Sequence, residues 1–138
     1  MSAVRGFPVS EFEARVARAQ TLMAAEGLGL LLLTTEPEVR YFSGFLTQFW
    51  QSPTRPWFLL VPRAGKPVAV IPGIGAAAME RTWIEDIRTW PSPCPEDEGL
   101  SLLADTIREL GGDRPVIGVP SGPETHLRLP LADYETVR

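Results

Sequence analysis

A continuous apolar run at residues 28–33, LGLLLL, constrains the fold of this chain more than any other feature. A strand with one face in water alternates apolar and polar residues, whereas a continuous run is typical of a strand buried on both faces. The run is also far shorter than the roughly 20 apolar residues that a membrane span requires. We therefore expect a buried strand within a layered domain.

An amphipathic helix is predicted directly before this strand. Apolar residues recur there at helical spacing, at Phe12, Val16, Ala19 and Met23. Ser10 and Glu13 match a capping box, in which a hydroxyl and a carboxylate each satisfy an orphaned backbone donor. Gly27 is typical of a helix end. A helix that leads into a buried strand favours an α/β architecture.

The rest of the chain alternates further strands and helices. WFLLVP and KPVAVIP, joined by RAG, predict a β-hairpin, and IRTW and VIGVP predict two short strands, the last one buried. Helices are predicted at residues 73–83, at the periodic Leu100, Leu103, Ile107 and Leu110 closed by Gly111 and Gly112, and from Pro130 onward. The helix-compatible residues run to Arg138, and we expect the chain to be part of a longer protein.

Composition narrows the class of protein. The 138 residues suit one domain, and the net charge of −4 with scattered arginines indicates no nucleic-acid partner. One cysteine, Cys94, excludes an internal disulfide and favours a reducing compartment. The charged N-terminus lacks the apolar core of a signal peptide. We therefore expect a cytoplasmic protein with no membrane partner.

GIGAAA, at residues 73–78, matches the dinucleotide-binding pattern G-x-G-x-x-[G/A]. In that pattern the glycines let backbone amides approach a pyrophosphate at a helix N-terminus. The strand before it belongs to the hairpin rather than to a βαβ unit, and Trp90 stands where a ribose-binding acid would follow. We interpret the segment as a structural turn, and NAD binding is the alternative.

The usual catalytic residue types do not form a set in the sequence. His126 is a lone histidine, and Cys94 lies between two prolines without a neighbouring base. The acidic run of Glu96, Asp97 and Glu98 lacks the spacing of a calcium loop, so it predicts a solvated loop that favours the next helix start. We predict no catalytic residue and no metal ligand in this chain.

The loop TQFWQSPTRPW is the strongest candidate for contact with another molecule. Phe49, Trp50 and Arg55 combine apolar area with planar hydrogen bonding, which is typical of partner surfaces and substrate rims. In the alternative interpretation Phe49 and Trp57 pack inward and the remaining residues only complete the loop.

Three segments in this order resemble a known family: EARVARAQTLMAAEGLGLLLL, PEVRYFSGF and WFLLVPRAGKPVAVIP. They are similar to the N-terminal domain of the creatinase, aminopeptidase P and prolidase superfamily, whose motif resembles N-x-x-Y-L-[ST]-G-F. Val39, Tyr41, Phe42, Ser43, Gly44 and Phe45 occupy that motif here. TWIEDIRTW and VIGVP also stand where the family has related segments, so the resemblance covers essentially the whole chain.

The resemblance implies a three-layer α/β/α domain with a mixed, ribonuclease-H-like sheet over residues 1–138. It implies that RYFSGF is a turn between the first two strands, with Tyr41 and Phe45 packed and Gly44 permitting the bend. It also implies a separate C-terminal catalytic domain, absent from this chain, in which two divalent metals (Mn, Co or Zn) activate water for peptide hydrolysis. This chain alone is then expected to be inactive and to hold no cofactor.

In function, the resemblance implies the N-terminal domain of an Xaa-Pro dipeptidase-like protein that acts on small peptides. Such a domain builds a homodimer and lends a loop to the substrate cleft, for which Phe49, Trp50 and Arg55 are the candidates. The alternatives are a free-standing interaction module, and a superfamily member that catalyses creatinase-type C–N hydrolysis or a lyase step.

Overall fold

The computed structural model describes residues 6–52 and 55–138, and it contains five helices and five strands within these residues. In chain order they are α1 (Val9–Glu26), β1 (Leu30–Leu33), α2 (Glu36–Ser43), β2 (Phe58–Pro62), β3 (Val68–Pro72), α3 (Ala76–Met79), β4 (Asp86–Trp90), α4 (Leu100–Gly111), β5 (Ile117–Gly118) and α5 (Leu131–Val137). Two 3₁₀ turns, Gln48–Gln51 and Gly73–Gly75, precede β2 and α3.

The five strands form one mixed sheet in the order β4-β3-β2-β1-β5. β2 pairs antiparallel with β3, as the predicted hairpin requires, and it also pairs antiparallel with β1. β5 runs parallel to β1, and β4 runs parallel to β3. Four strands therefore point in one direction and β2 points in the other.

Apolar side chains cover both faces of the sheet. On one face Leu59 and Val61 of β2 join α1, α2 and α3 in a single buried cluster. On the other face Phe58 and Leu60 pack with α4, and Val137 of α5 lies against the same cluster. Alternate residues of a strand point to opposite faces, so a run without polar residues supplies two cores at once. The predicted three-layer α/β/α fold with a mixed sheet is confirmed.

The predicted capping box at the start of α1 is wrong. The helix begins at Val9, with Pro8 as its N-cap and no side-chain hydrogen bond to the cap. Phe7 instead packs edge-on against Phe12 with 6.4 Å between ring centroids. This is a hydrophobic staple, in which apolar residues before and inside the first turn fix the helix start. The predicted end is confirmed, because Gly27 has φ 70° and caps the helix.

RYFSGF is not a simple turn between two strands, because most of it lies in α2. Pro37 stands in the first turn beside two acidic residues, both of which favour a helix start. Gly44 ends the helix with φ 78°, and Phe45 is fully buried. Tyr41 is 44% exposed, and its ring lies 4.4 Å from the guanidinium of the buried Arg15. Gly44 thus makes the predicted bend, at a helix end.

Three smaller expectations also differ from the structure. The helix predicted over residues 73–83 is a 3₁₀ turn followed by the short α3, because the Thr82 hydroxyl donates to Met79 O at 2.7 Å and accepts from Ile84 N, which turns the chain toward β4. The last strand, β5, is only half-buried, since it lies at an edge of the sheet. Pro130 is the N-cap of α5 rather than its first residue.

None of the helices within residues 6–52 and 55–138 has the length and apolar character that crossing a bilayer demands.

Candidate functional site

The distinctive side chains of this chain lie along one edge of the sheet, where each of the five strands has one of its ends. The carboxyl ends of β1, β3, β4 and β5 meet there, together with the amino end of β2. The connections at this edge contribute Thr34, Arg55, Trp57, Gly75, Glu98 and Arg128. Ligands of open α/β sheets usually bind outside the carboxyl ends of strands, so this carboxyl edge is the candidate site.

Four aromatic rings form a cluster at the carboxyl edge. Trp57 is fully buried in its centre and lies 5.5 Å from Phe45, 6.4 Å from Phe49 and 6.0 Å from Trp50 between ring centroids. Phe49 stacks on Trp57 with an interplanar angle of 10°, and both it and Trp50 are half-buried. Phe49 and Trp50 therefore each pack against Trp57 and remain partly exposed to solvent.

Three buried donors near this cluster have no acceptor in the described part of the chain. The indole nitrogens of Trp50 and Trp57 and the Nε of Arg55 are buried and have no hydrogen-bond partner among the described residues. A buried donor left without an acceptor costs about 1–3 kcal/mol. Arg55 itself is half-buried at the amino end of β2.

Arg128 donates hydrogen bonds to three backbone carbonyls around the loop that carries Phe49 and Trp50. Its Nη1 donates to Arg55 O at 2.7 Å, and its Nη2 donates to Trp50 O at 3.4 Å and to Ser52 O. The same guanidinium lies 5.5 Å from the centroid of the Trp50 ring. Burial lowers the pKa of Arg128, yet an arginine remains charged throughout the physiological range. We refer to residues 48–52 and Arg55, which this side chain joins, as the aromatic loop.

Glu98 organises the neighbouring connection after β4. Its carboxylate accepts hydrogen bonds from Trp90 Nε1 at 3.1 Å, from Ser92 Oγ, and from Cys94 N at 2.7 Å. Burial opposes ionisation, but these hydrogen bonds and the positive charge of Arg55 lower the pKa of the Glu98 carboxyl. The expectation of a wholly solvated acidic loop is wrong for Glu98, because its carboxylate turns inward to bond backbone and side-chain donors.

The other two acids of that run behave more as expected. Asp97 Oδ1 accepts from Ser101 N at 3.0 Å near the start of α4. The pKa of the Asp97 carboxyl is lowered first by the side-chain hydroxyl of Ser101 and next by this backbone hydrogen bond. Glu96 is exposed. Cys94 is half-buried, and His126 is exposed on the connection between β5 and α5.

GIGAAA lies at the carboxyl edge, where its second glycine serves packing. A Cβ built on Gly75 would lie 2.2 Å from Cζ3 of Trp57, so the indole occupies the space beside this backbone. The preceding strand β3 is the second arm of the hairpin, as predicted. The close approach that a dinucleotide pattern reserves for a pyrophosphate is made here by a tryptophan ring.

The described residues of the carboxyl edge do not form a metal centre. Within residues 6–52 and 55–138 no group of three or more His, Cys, Asp or Glu side chains is placed to hold a metal ion. The donors that converge on the aromatic loop are guanidinium, indole and amide groups, which bind anions and carbonyl oxygens rather than cations. Two shallow grooves, lined in part by Lys66 and Glu85 and by Arg114 and Thr136, lie away from the aromatic loop.

The sequence singled out the aromatic loop as a candidate but not two other residues of the carboxyl edge: Arg128, which bonds the loop, and Glu98, which organises the connection after β4. Arg128 stands between Leu127 and Leu129, which pack against the apolar cluster beneath α4. A charged residue between two partly buried apolar ones points to the other side of the backbone, and this alternation is the signal in the sequence that could have drawn attention to Arg128. No comparable pattern indicated Glu98.

Comparison with known proteins agrees with this architecture. The family model described as the Creatinase/Prolidase N-terminal domain matches residues 15–132. None of the curated proteins matches the chain. The fold and the family match together define the class of this protein as an α/β domain of the prolidase type. The chain belongs to the Creatinase/Prolidase N-terminal domain family.

Several solved structures share the fold. Dipeptidase PepE from Mycobacterium ulcerans is 22% identical with a TM-score of 0.72, and the match covers 96% of this chain and 34% of that one. A recombinant prolidase from Thermococcus sibiricus is 14% identical with a TM-score of 0.73, over 96% of this chain and 32% of that one. The N-terminal domain of Xaa-Pro dipeptidase from Lactobacillus brevis is 16% identical with a TM-score of 0.69, over 89% and 84%. The chain thus spans about a third of the length of the first two.

Proposed function

We propose that this chain is the non-catalytic N-terminal domain of an Xaa-Pro dipeptidase-like metallohydrolase. In this proposal it supports a homodimer in the cytoplasm and lends the aromatic loop to the substrate cleft of a small-peptide hydrolase. The family match over residues 15–132 carries the proposal, and the similarity to N-terminal domains of dipeptidases supports it.

The chemistry of the aromatic loop supports its role at a cleft. Trp50 presents a half-buried ring, and Arg55 follows five residues later in the sequence. The Trp50 indole nitrogen and the Arg55 Nε have no hydrogen-bond partner within residues 6–52 and 55–138. An apolar ring suits the body of a small peptide, and a guanidinium suits its carboxylate. Phe49 stacks behind on Trp57 and thereby limits the directions in which the loop can move.

The divalent metals of the proposed hydrolase belong to a separate catalytic domain. The described residues of this chain offer no fitting donor set, so we derive no chemical step through a metal here. We propose that such a catalytic domain binds two divalent ions (Mn, Co or Zn) and that its bound metal supplies the activated water. This chain then contributes binding and orientation rather than bond cleavage.

A kinetic comparison of two tryptophan variants in the complete gene product tests the role of the loop. Trp50→Ala removes the proposed contact with substrate and should raise KM for an Xaa-Pro dipeptide about tenfold, which corresponds to about 1.4 kcal/mol. Trp83→Ala is the matched control, because Trp83 is also half-buried on the same layer but donates to Phe42 O outside the loop. Equal KM values for the two variants would contradict the proposal that the loop contacts substrate.

Two other functions are distinguished by simple measurements. A free-standing interaction module predicts that the gene ends after this domain, whereas our proposal predicts a downstream segment with Asp, His and Glu ligands. A superfamily member with another reaction predicts hydrolysis of creatine-type C–N bonds, or a lyase step, in place of Xaa-Pro cleavage. Sedimentation of the complete gene product tests the proposed homodimer.

A further inference from the structure

We infer that Arg128 is the positioning residue of the aromatic loop, because one guanidinium joins the carbonyl groups of Trp50, Ser52 and Arg55. This assigns a role to a residue on the connection between β5 and α5, far along the chain from the loop. Its relevance to substrate rests on the proposed function, but the positioning is a property of this chain alone.

The contacts of Arg128 fix the loop on both sides. Two carbonyls, those of Trp50 and Ser52, belong to the 3₁₀ turn and the residue that follows it, and the third belongs to Arg55 just before β2. The guanidinium also stacks at 5.5 Å from the Trp50 ring. The side chain therefore constrains both the backbone of the loop and the ring that the loop presents.

Arg128 can impose a position because its own backbone is held. Arg128 N donates to Thr34 Oγ1 at 2.8 Å, and Thr34 is only 2% exposed at the end of β1. Leu127 and Leu129 on either side pack against the apolar cluster beneath α4. The arginine thus extends from a backbone position held at the end of β1 to the aromatic loop.

A lysine cannot reproduce this arrangement. The guanidinium is planar and presents five N–H donors in a rigid fork, whereas a lysine ammonium is a compact charge on a flexible stem. Three carbonyls spread over the two sides of a loop require the fork. Arg128→Lys therefore keeps the charge and most of the side-chain volume but removes the geometry.

Fluorine NMR of the chain labelled with 5-fluorotryptophan tests the positioning directly. The Trp50 resonance is assigned by its loss in Trp50→Phe. We expect Arg128→Lys to shift and broaden the Trp50 resonance while the resonance of Trp83, which lies outside the loop, stays in place. The control is Arg114→Ala, which removes an exposed arginine before β5. A Trp50 resonance unchanged in Arg128→Lys overturns the inference, and circular dichroism establishes that each variant is folded.

Kinetics of the complete gene product test whether the positioning serves substrate binding. Arg128→Lys should raise KM for an Xaa-Pro dipeptide about tenfold with kcat nearly unchanged, because uniform binding is lost rather than transition-state stabilisation. If Trp50→Ala raises KM and Arg128→Lys does not, the inference is wrong. If Trp50→Ala itself has no effect on KM, the proposed function of the loop fails, and the NMR result alone decides whether Arg128 positions it.

Discussion

Replacing Gly75 by alanine tests the interpretation of GIGAAA as a packing turn. The new Cβ would lie 2.2 Å from Cζ3 and 2.8 Å from Cη2 of Trp57, and 3.3 Å from Cδ1 of Ile71. Trp57 is fully buried among other rings, so its indole has little room to retreat. Overpacking of this kind costs about 1–3 kcal/mol, and the gain of about 0.5–1 kcal/mol from replacing glycine offsets only part of it.

The neighbouring glycine of the same pattern is the matched control. A Cβ on Gly73 would lie 3.6 Å from Trp90 O, which is ordinary van der Waals contact. We therefore expect urea unfolding to show a loss of about 1–2 kcal/mol for Gly75→Ala and a change within about 0.5 kcal/mol for Gly73→Ala. Equal stabilities of the two variants would refute the packing argument.

A double-mutant cycle then identifies the group that Gly75→Ala disturbs. Trp57→Phe removes the outer ring atoms that the new methyl meets, so the two substitutions together should cost less than the sum of the separate costs. We expect a coupling free energy of about 1 kcal/mol, within the range found for residues in contact. Additive costs would show that the methyl clashes with something other than the indole.

Three further substitutions or titrations follow from the structure. Gly44→Ala should cost more free energy of unfolding than Gly27→Ala, because both residues have positive φ but only at Gly44 would a Cβ meet Phe12, at 3.0 Å; equal costs in urea would contradict this. Glu98→Gln should lose about 1 kcal/mol at pH 7, where the charged carboxylate accepts hydrogen bonds from the neutral donors Trp90 Nε1 and Cys94 N. Because the fold lowers the pKa of Glu98, its contribution is present above the unfolded-state pKa and lost as the pH falls through the folded-state pKa. Urea unfolding at several pH values should therefore show the wild type and Glu98→Gln converging in acid, and a constant difference would contradict the assignment. Calorimetry with NAD should give no saturable heat, whereas saturation would favour the dinucleotide alternative.

The central strands were predictable because each of them coincides with a short, continuous run of apolar residues. LGLLLL, WFLLVP and KPVAVIP each lie where a continuous run predicts a strand between two layers, and the structure gives each run two covered faces. The helix ends at Gly27 and Gly112 were also predictable, because glycine readily adopts the positive φ that a helix end often requires. Both glycines have positive φ in the structure. Apolar runs and glycine positions therefore predict an element correctly where the burial of its residues and their backbone preferences favour the same structure.

Other features were decided by competition between local patterns. Ser10 and Glu13 match a capping box, but the helix starts two residues earlier, where Phe7 packs on Phe12. α2 carries the residues Val39, Tyr41 and Phe42, which favour strands, yet proline and two acids in its first turn favour a helix. Packing between elements selects among such conflicting preferences, and local sequence patterns do not report that packing.

In the candidate site, too, local sequence patterns identified the loop but not the distant residue that bonds it. The composition of the loop at residues 48–56 indicated contact with another molecule, but the interactions that hold it come from Arg128, more than 70 residues away. Residues 53 and 54 of that loop lie outside the described part of the structure. Periodicity and motif spacing report on neighbours in sequence, so a contact across that separation is not visible to them.

The separation of binding from bond cleavage is tested most directly by one assay on two proteins. The chain of residues 1–138 and the complete gene product are incubated separately with an Xaa-Pro dipeptide and Mn²⁺, Co²⁺ or Zn²⁺, and release of proline is measured. Our account predicts metal-dependent release by the complete gene product and none by the 138-residue chain. Metal-dependent turnover by the chain alone would contradict it.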